Sequence, residues 1–470
     1  MNVADTERMI VLLGDGGMRQ VETAEAADVV LINGCSVREK AVHKAVSMLG
    51  TYQDFKGKIL GVGGCVGQFE KEGLFSRAPY LDFVFGTDTI DELPEIIHCV
   101  AHGGRRLIYT QFDRDEKFST ETKVAPGKVS AFVNIMKGCD KYCTYCIVPF
   151  TRGREKSRTI DEVLEDLARL ALSGVREVTL LGQNVNSFGK GNPNSKGRRP
   201  LTLQNRIGKV GPDQGEENFP QLLRAIDTDP RLGLIERIRF TSSHPLDFSD
   251  ELIDCYARPE KGGVGKLARH LHLPVQSGSN TILQKMGRHH RVEGYIEQMQ
   301  RLKELAPDVA LSTDLIVGFP GETDEDFKQT LRLLDVIRYD SIYAFAYSER
   351  PGTRAAKLKD DVSVKTKDER LAELFRYQQD ISVEQYQKRV GQVLDVLVEY
   401  ASKRVEIPMG LRQGKLWSGR SSCNRPVHFT AEVPRNLIGH SVRVRILGAT
   451  GLALYGEWEP EVKTQNEELA

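Results

Sequence analysis

Met136-Lys-Gly-Cys139-Asp-Lys-Tyr-Cys143-Thr-Tyr-Cys146 brings three cysteines together directly after Val129 to Met136, a stretch that reads as a β-strand. Thiolates suit iron-sulfur clusters, and four irons served by three cysteines leave one iron open to an exogenous ligand. The amino and carboxylate groups of S-adenosylmethionine (SAM) can chelate such an iron. A zinc site would want a fourth Cys or His at a matching spacing, and none is nearby. Position matters as well as spacing. In a strand-helix barrel the residues that follow a strand lie at its C-terminal end, where barrel active sites form.

Outward from the cysteines, strand patterns recur at Arg176 to Asn184, Arg237 to Ser243, Leu267 to Gln276, Val309 to Phe319 and Ser341 to Tyr347, with helices between. Thr159 with Glu162 forms a capping box at one helix start, and Thr323 with Asp326 resembles another. Six strand-helix units predict a partial (β/α)6 barrel over residues 128–385. Residues 189–217, rich in Gly, Asn, Pro, Lys and Arg, read as an inserted surface loop.

Upstream, Asp28 to Asn33, Lys58 to Gly63 and Phe83 to Gly86 alternate with amphipathic segments, which predicts a small doubly wound α/β domain over residues 1–103. Residues 104–127, charged and broken by Pro126 and Gly127, read as a linker. Cys35 and Cys65 each follow a strand and so face the crevice beyond the carboxyl ends of one sheet, where such domains bind ligands. On burial statistics alone, a pair of structural cysteines is the better reading. Cys99, Cys255 and Cys423 stand singly and read as structural.

Downstream, Lys365 to Arg389 reads as one long charged helix, and strand patterns return at Val393 to Glu399, Val427 to Glu432 and Ser441 to Leu447. This predicts an all-β module over residues 386–459, followed by an acidic tail at 460–470. Lys403, Arg404, Arg412, Lys415, Arg420 and Arg425 gather around its predicted loops with Trp417 among them. Basic side chains hold phosphates and an aromatic can stack on an unpaired base, although a solvated polar face is the plainer alternative.

Composition fits a soluble globular chain of several domains: 470 residues, 40% hydrophobic and 28% charged. No apolar run approaches the ~18 residues that span a bilayer, and no signal peptide opens the chain. Eight cysteines without a secretory context point to reduced thiols and a cytoplasmic protein, expected to act as a monomer. The net charge of zero does not exclude a nucleic-acid partner, because binding depends on where Lys and Arg lie.

The motifs together resemble the radical SAM methylthiotransferases, specifically the MiaB type. The matching segments are Asn33-Gly-Cys35-Ser-Val-Arg-Glu-Lys-Ala41, the cysteine loop through Pro149-Phe-Thr-Arg-Gly153, and Leu180-Leu-Gly-Gln-Asn-Val-Asn186. Leu273-Pro-Val-Gln-Ser-Gly-Ser279, Asp314-Leu-Ile-Val-Gly-Phe-Pro-Gly-Glu322 and Tyr347-Ser-Glu-Arg-Pro-Gly-Thr353 extend the likeness. The resemblance implies a cluster-binding N-terminal domain, a radical SAM partial barrel and a TRAM domain that grips RNA. Implied cofactors are SAM and two 4Fe-4S clusters, one on Cys139, Cys143 and Cys146 and an auxiliary one using Cys35 and Cys65. One SAM would methylate a sulfur at the auxiliary cluster, and a second would be cleaved reductively to a 5′-deoxyadenosyl radical.

That radical would take hydrogen from carbon 2 of isopentenyl-adenosine in a tRNA anticodon stem-loop, and methylthio transfer would follow. A low-potential electron donor and a sulfur source are also implied. By the same resemblance Tyr145, Gln183, Asn186, Ser243 and Gln276 are SAM-contact candidates. Gly278 and Gly318 also recur at strand ends, favouring SAM binding over mere tight backbone, while His289 and His290 read as surface residues.

One piece of the pattern is missing. The family holds its auxiliary cluster with three N-terminal cysteines, and only Cys35 and Cys65 match. Relatives open with a strand ending in Gly-Cys-Gln-Met-Asn, which Met1-Asn2 continues in register, and residues 4–13 read as a helix that a strand should precede. The expectation is that the natural chain starts upstream of Met1. The alternatives are an enzyme acting on threonylcarbamoyl-adenosine, an activity-impaired RNA-binding iron-sulfur protein, or a zinc-stabilised RNA-binding module.

Overall fold

The computed structural model describes residues 1–36, 39–55, 57–112, 121–122, 124–125, 127–190, 217–402, 411, 414–432 and 436–460. Helix α1 (Asn2–Asp15) leads into β1 (Val29–Gly34), α2 (Glu39–Thr51), β2 (Ile59–Gly63), α3 (Gly64–Glu70) and α4 (Gly73–Arg77). Strand β3 (Phe83–Phe85), α5 (Leu93–Ala101) and β4 (Leu107–Tyr109) complete a parallel sheet in the order β1-β2-β3-β4. Alternation along the strands sends apolar side chains to both faces. On one face Ile32, Leu60 and Val62 pack with Ala45 and Leu49 of α2 and Val66 of α3. On the other, Phe83 and Phe85 pack with Met9 of α1 and Ile96 and Ile97 of α5. Helices on both faces make the domain doubly wound, as the sequence predicts. Strand β4 corrects the linker reading, because it lies within residues 104–127. Its three residues are too few to show a period, and pairing with β3 is what makes them a strand.

The second part begins with β5 (Ser130–Asn134) and a short antiparallel pair, β6 (Met136–Lys137) with β7 (Lys156–Ser157), around α6 (Val148–Thr151). Then come α7 (Ile160–Leu172), β8 (Glu177–Leu181), α8 (Phe219–Thr228), β9 (Arg237–Phe240), α9 (Asp250–Asp254), β10 (His270–His272), α10 (Asn280–Lys285) and α11 (Val292–Leu305). Strand β11 (Ala310–Val317), α12 (Asp324–Ile337), β12 (Ser341–Ala346) and α13 (Val364–Gln387) follow. Strands β5-β8-β9 and β10-β11-β12 form two parallel halves, joined by a bridge between Ile238 and Leu267. Both predicted capping boxes form, Thr159 with Glu162 and Thr323 with Asp326. Val133, Val178, Ile238, Leu271, Leu311 and Ile342 point outward into one core with the helices. Their neighbours in sequence therefore line the inner face of a six-stranded partial barrel. Most of the predicted loop at 189–217 lies outside the described residues, as does nearly all of the acidic tail.

The third part is a closed barrel of β13 (Val393–Ala401), β14 (Lys415–Ser421), β15 (Pro426–Ala431), β16 (Ser441–Ala449) and β17 (Leu454–Trp458), ordered β13-β14-β15-β17-β16. It meets the larger barrel at the starts of that barrel's strands. Arg237 Nη1 donates to Glu177 Oε2 at 3.1 Å and to the Arg420 carbonyl at 3.0 Å. Arg239 donates to the carbonyls of Ser421 at 2.7 Å and Ser422 at 3.0 Å. Among the described residues no helix is long and apolar enough to cross a membrane.

Two candidate RNA contacts are corrected here. Trp417 is 0% exposed and packs with Val396, Phe429 and Val444 in the module core, so its ring has no face left for a base. Arg425 is 2% exposed, ion-paired to Asp340 and stacked 5.1 Å from the Tyr386 ring centroid, so it fastens module to barrel. Trp417→Ala should destabilise the module by about 3–5 kcal/mol, as large core truncations do. Hydrogen exchange then rises selectively in β13 to β17; unchanged protection there would contradict the core placement.

Candidate iron-sulfur and SAM site

The cysteine loop is pinned at both ends. Strands β6 and β7 pair Met136 with Ser157 and Lys137 with Lys156, and the Cys139 N–H donates to the Gly153 carbonyl at 3.2 Å. Gly138 turns the chain at φ +77°, where a Cβ would stand 2.0 Å from the Arg154 carbonyl oxygen. No larger residue fits that turn. Lys141 reaches Asp247 at 2.6 Å, and Asn184 Nδ2 donates to the same carboxylate at 2.6 Å. Burial alone would raise the Asp247 pKa, but Lys141 and Lys190 outweigh it and hold the carboxyl below its usual range. Farther along, the Thr144 N–H donates to the Met286 carbonyl at 2.8 Å, tying the loop to the end of α10.

Cys143 is buried, and Cys139 and Cys146 are partly so. Burial, with the neighbouring Cys143 sulfur, pushes the Cys146 thiol up to about 12. Burial and Glu155 push Cys139 up as well. Cys139 and Cys146 therefore stay protonated until a metal displaces their protons. Among the described residues no three His, Cys, Asp or Glu side chains converge on a single ion. Three cysteines on one loop, with the Arg288 guanidinium beside Cys143, fit a group held by three thiolates.

Beside the loop stand groups that lack partners. Arg288, 4% exposed, lies with Nη1 3.7 Å from the Cys143 sulfur and donates through Nη2 to the Pro274 carbonyl. Its Nε, His244 Nε2 and Asn186 Nδ2 are buried with no hydrogen-bond partner in the protein. Ser243 Oγ donates to Asn186 Oδ1 at 3.1 Å, which brings two of the predicted SAM contacts together. Tyr142, Ser242, Gln276 and His289 adopt φ of +50°, +67°, +78° and +57°. Backbone strain of this kind collects at functional sites. Unsatisfied buried donors call for a polar ligand, and the carboxylate, amine, ribose and adenine of SAM offer matching groups.

Arg288 and His244 were not legible in the sequence, since neither sits in a ligand-spaced motif. His290 corrects the surface reading: its Nε2 is buried, and its ring stands 6.0 Å from that of His244, edge to face at 88°. His289 is exposed. Tyr145 meets Phe319 edge-on at 6.4 Å, a contact with the Gly-Phe-Pro-Gly-Glu segment. The glycines are also corrected. A Cβ on Gly278 would strike the α12 backbone at Thr330 at 2.5 Å, and one on Gly318 would strike Lys367 at 2.3 Å, so both are close-packing positions. Cys255 and Cys423 are buried, whereas Cys99 is exposed.

Gln183 lies between the two cysteine sets: its Oε1 accepts from the Gly138 N–H and its Nε2 reaches the Met1 sulfur. Cys35 follows β1, and Cys65 lies in the first turn of α3. Both are near enough to the Met1 ammonium to pull its pKa up, although burial wins and the value is lowered. Arg152, 6% exposed, pairs with Asp5 at 2.5 Å and lies within hydrogen-bonding reach of Cys65. Cys35 and Cys65 alone do not complete the three-thiolate set expected for an auxiliary cluster.

Of the remaining RNA-contact candidates, Lys403, Arg404 and Arg412 lie outside the described residues. Lys415 is exposed, with Nζ 4.3 Å from the Trp417 ring centroid. Arg420 pairs with Glu399 at 3.5 Å.

Residues 133–334 match the Radical SAM superfamily, and residues 1–86 match the uncharacterized protein family UPF0004. The tRNA-2-methylthio-N(6)-dimethylallyladenosine synthase of Bdellovibrio bacteriovorus is 41% identical over 465 residues, covering 97% of this chain and 93% of that protein. The protein of the same name from Hahella chejuensis is 42% identical over 466 residues, covering 97% and 96%. The chain belongs to the MiaB family of radical SAM methylthiotransferases. Among solved structures, the radical SAM methyltransferase TsrM from Kitasatospora setae aligns with a TM-score of 0.49 and 13% identity over 74% of this chain and 68% of that one.

For this member of the family, replacing Cys139, Cys143 and Cys146 together by Ala should abolish 5′-deoxyadenosine formation from SAM. Retained formation in the triple variant would remove the three cysteines from the site.

Proposed function

We propose that this chain adds a methylthio group to carbon 2 of N6-isopentenyladenosine in the anticodon loop of tRNA. The observation that carries the reading is the 41–42% identity, across nearly the whole chain, to relatives named for that reaction. Carbon 2 of adenine is not activated for acid-base chemistry, so a His or Glu dyad would not suffice. The bound cluster and SAM would supply a 5′-deoxyadenosyl radical able to take hydrogen from that carbon.

The chain's own residues hold and orient. Cys139, Cys143 and Cys146 would hold the cluster. Arg288 places a fixed cation beside the Cys143 sulfur, and Asn186, Ser243, His244 and Gln276 would line the SAM site. Lys141 and Asp247 keep the loop in place. A second cluster on Cys35 and Cys65 would need a further ligand besides these two. An anticodon loop offers unpaired bases at less cost than a duplex, and the exposed Lys415 suits its phosphates. The partners are tRNA, a low-potential electron donor and a sulfur source, and the protein works as a monomer in the cytoplasm.

Mass spectrometry of tRNA nucleosides from a strain lacking the gene tests the reading. Isopentenyladenosine should accumulate at the expense of its methylthio form. A change in threonylcarbamoyl-adenosine instead would contradict the substrate.

A further inference from the structure

The inner face of the second half-barrel carries a group of side chains as yet without an assigned role. His272 closes β10, while Asp314 and Tyr343 lie within β11 and β12. Asp314 and Tyr343 are register partners, and His272 pairs with Ser312 beside them. His272 Nε2 lies 3.4 Å from Asp314 Oδ1, and its Nδ1 lies 3.0 Å from Ser312 Oγ. Tyr343 stands edge-on to His272, with ring centroids 5.7 Å apart at 77°. The tyrosine is 50% exposed, whereas Ile342 and Ala344, pointing the other way, are 9% and 6% exposed.

A half-exposed aromatic in a concave wall, next to a fixed carboxylate, is the construction expected of a pocket for a planar polar ligand. The wall is continuous with the cysteine loop, since Ile316, two residues beyond Asp314, packs in the same cluster as Tyr145 and Phe319. The apolar Ile316 and Phe345 fall on the same face as Asp314 and Tyr343 by strand alternation.

We infer that Tyr343, Asp314 and His272 form the seat for the N6-alkylated adenine of the substrate. Tyr343 stacks on the purine, Asp314, oriented by His272, accepts the one remaining N6–H, and Ile316 and Phe345 receive the alkyl group. This rests on the proposed tRNA reading and specifies the substrate end of the same site. It also accounts for selectivity. An N6 substituent ending in a carboxylate would face Asp314, while Arg237 and Arg239, on the inner face of the first half-barrel, are engaged by Glu177 and by module carbonyls.

The test uses the full-length, cluster-reconstituted protein with SAM but no reductant, and anticodon stem-loop RNAs bearing isopentenyladenosine or plain adenosine at the target position. Fluorescence anisotropy gives the ratio of the two affinities. Wild type should prefer the isopentenyl RNA; Tyr343→Ala should weaken the binding of both RNAs about tenfold with SAM affinity unchanged, Tyr343→Phe should not, and Phe345→Ala should cut the preference. RNA affinity retained by Tyr343→Ala overturns the seat alone, as does loss of SAM affinity with RNA affinity intact, which would give the wall to SAM. Wild type with no preference overturns the seat and the proposed substrate together.

Discussion

Three thiols have to be held close together, partly out of water, with one side left open. Burial works against this arrangement twice, by keeping Cys139 and Cys146 protonated and by crowding like charges once thiolates form. The loop meets the demand through backbone. Strands β6 and β7 fix its two ends, Gly138 allows a turn that no side chain would tolerate, and the Thr144 N–H binds it to α10. Arg288 then supplies a fixed cation beside Cys143. Two neighbours brace the loop in turn: Gln183 reaches back to Gly138, and Asp247 clamps Lys141.

The same barrel divides its two ends between different tasks. At the strand starts, Glu177, Arg237 and Arg239 form a buried charged cluster whose remaining donors go to module carbonyls, and Arg425 with Asp340 adds a second tie. Removing one partner from such a cluster would strand a buried charge, so these contacts hold the module in one orientation. The strand ends carry the cysteine loop and the polar groups beside it. Asn186, His244 and Arg288 keep buried, unsatisfied atoms, which is tolerable in a site that receives a ligand and costly elsewhere.

What the sequence reveals is what depends on neighbours along the chain. Both capping boxes, the six barrel strands and the doubly wound pattern rest on local spacing, and the cysteine motif is chemically specific by itself. Strands β4, β14 and β17 are different. The first has three residues and the other two carry interior glycines, Gly419 and Gly456, so their identity comes from pairing. Trp417 and Arg425 look like RNA contacts because basic and aromatic residues mix there, but burial is decided by the closed barrel and by Asp340. Arg288 reaches Cys143 across 145 residues of sequence, a distance over which no motif signals contact.

The claim on which the rest stands is that the three-cysteine cluster keeps one iron open for SAM. It is tested most directly by electron paramagnetic resonance of the reduced cluster in a Cys35→Ala/Cys65→Ala variant, which leaves only the cluster on Cys139, Cys143 and Cys146. An open iron predicts that the spectrum changes when SAM is added and binds there. A spectrum that SAM leaves unaltered, in protein shown to carry the cluster, would contradict it.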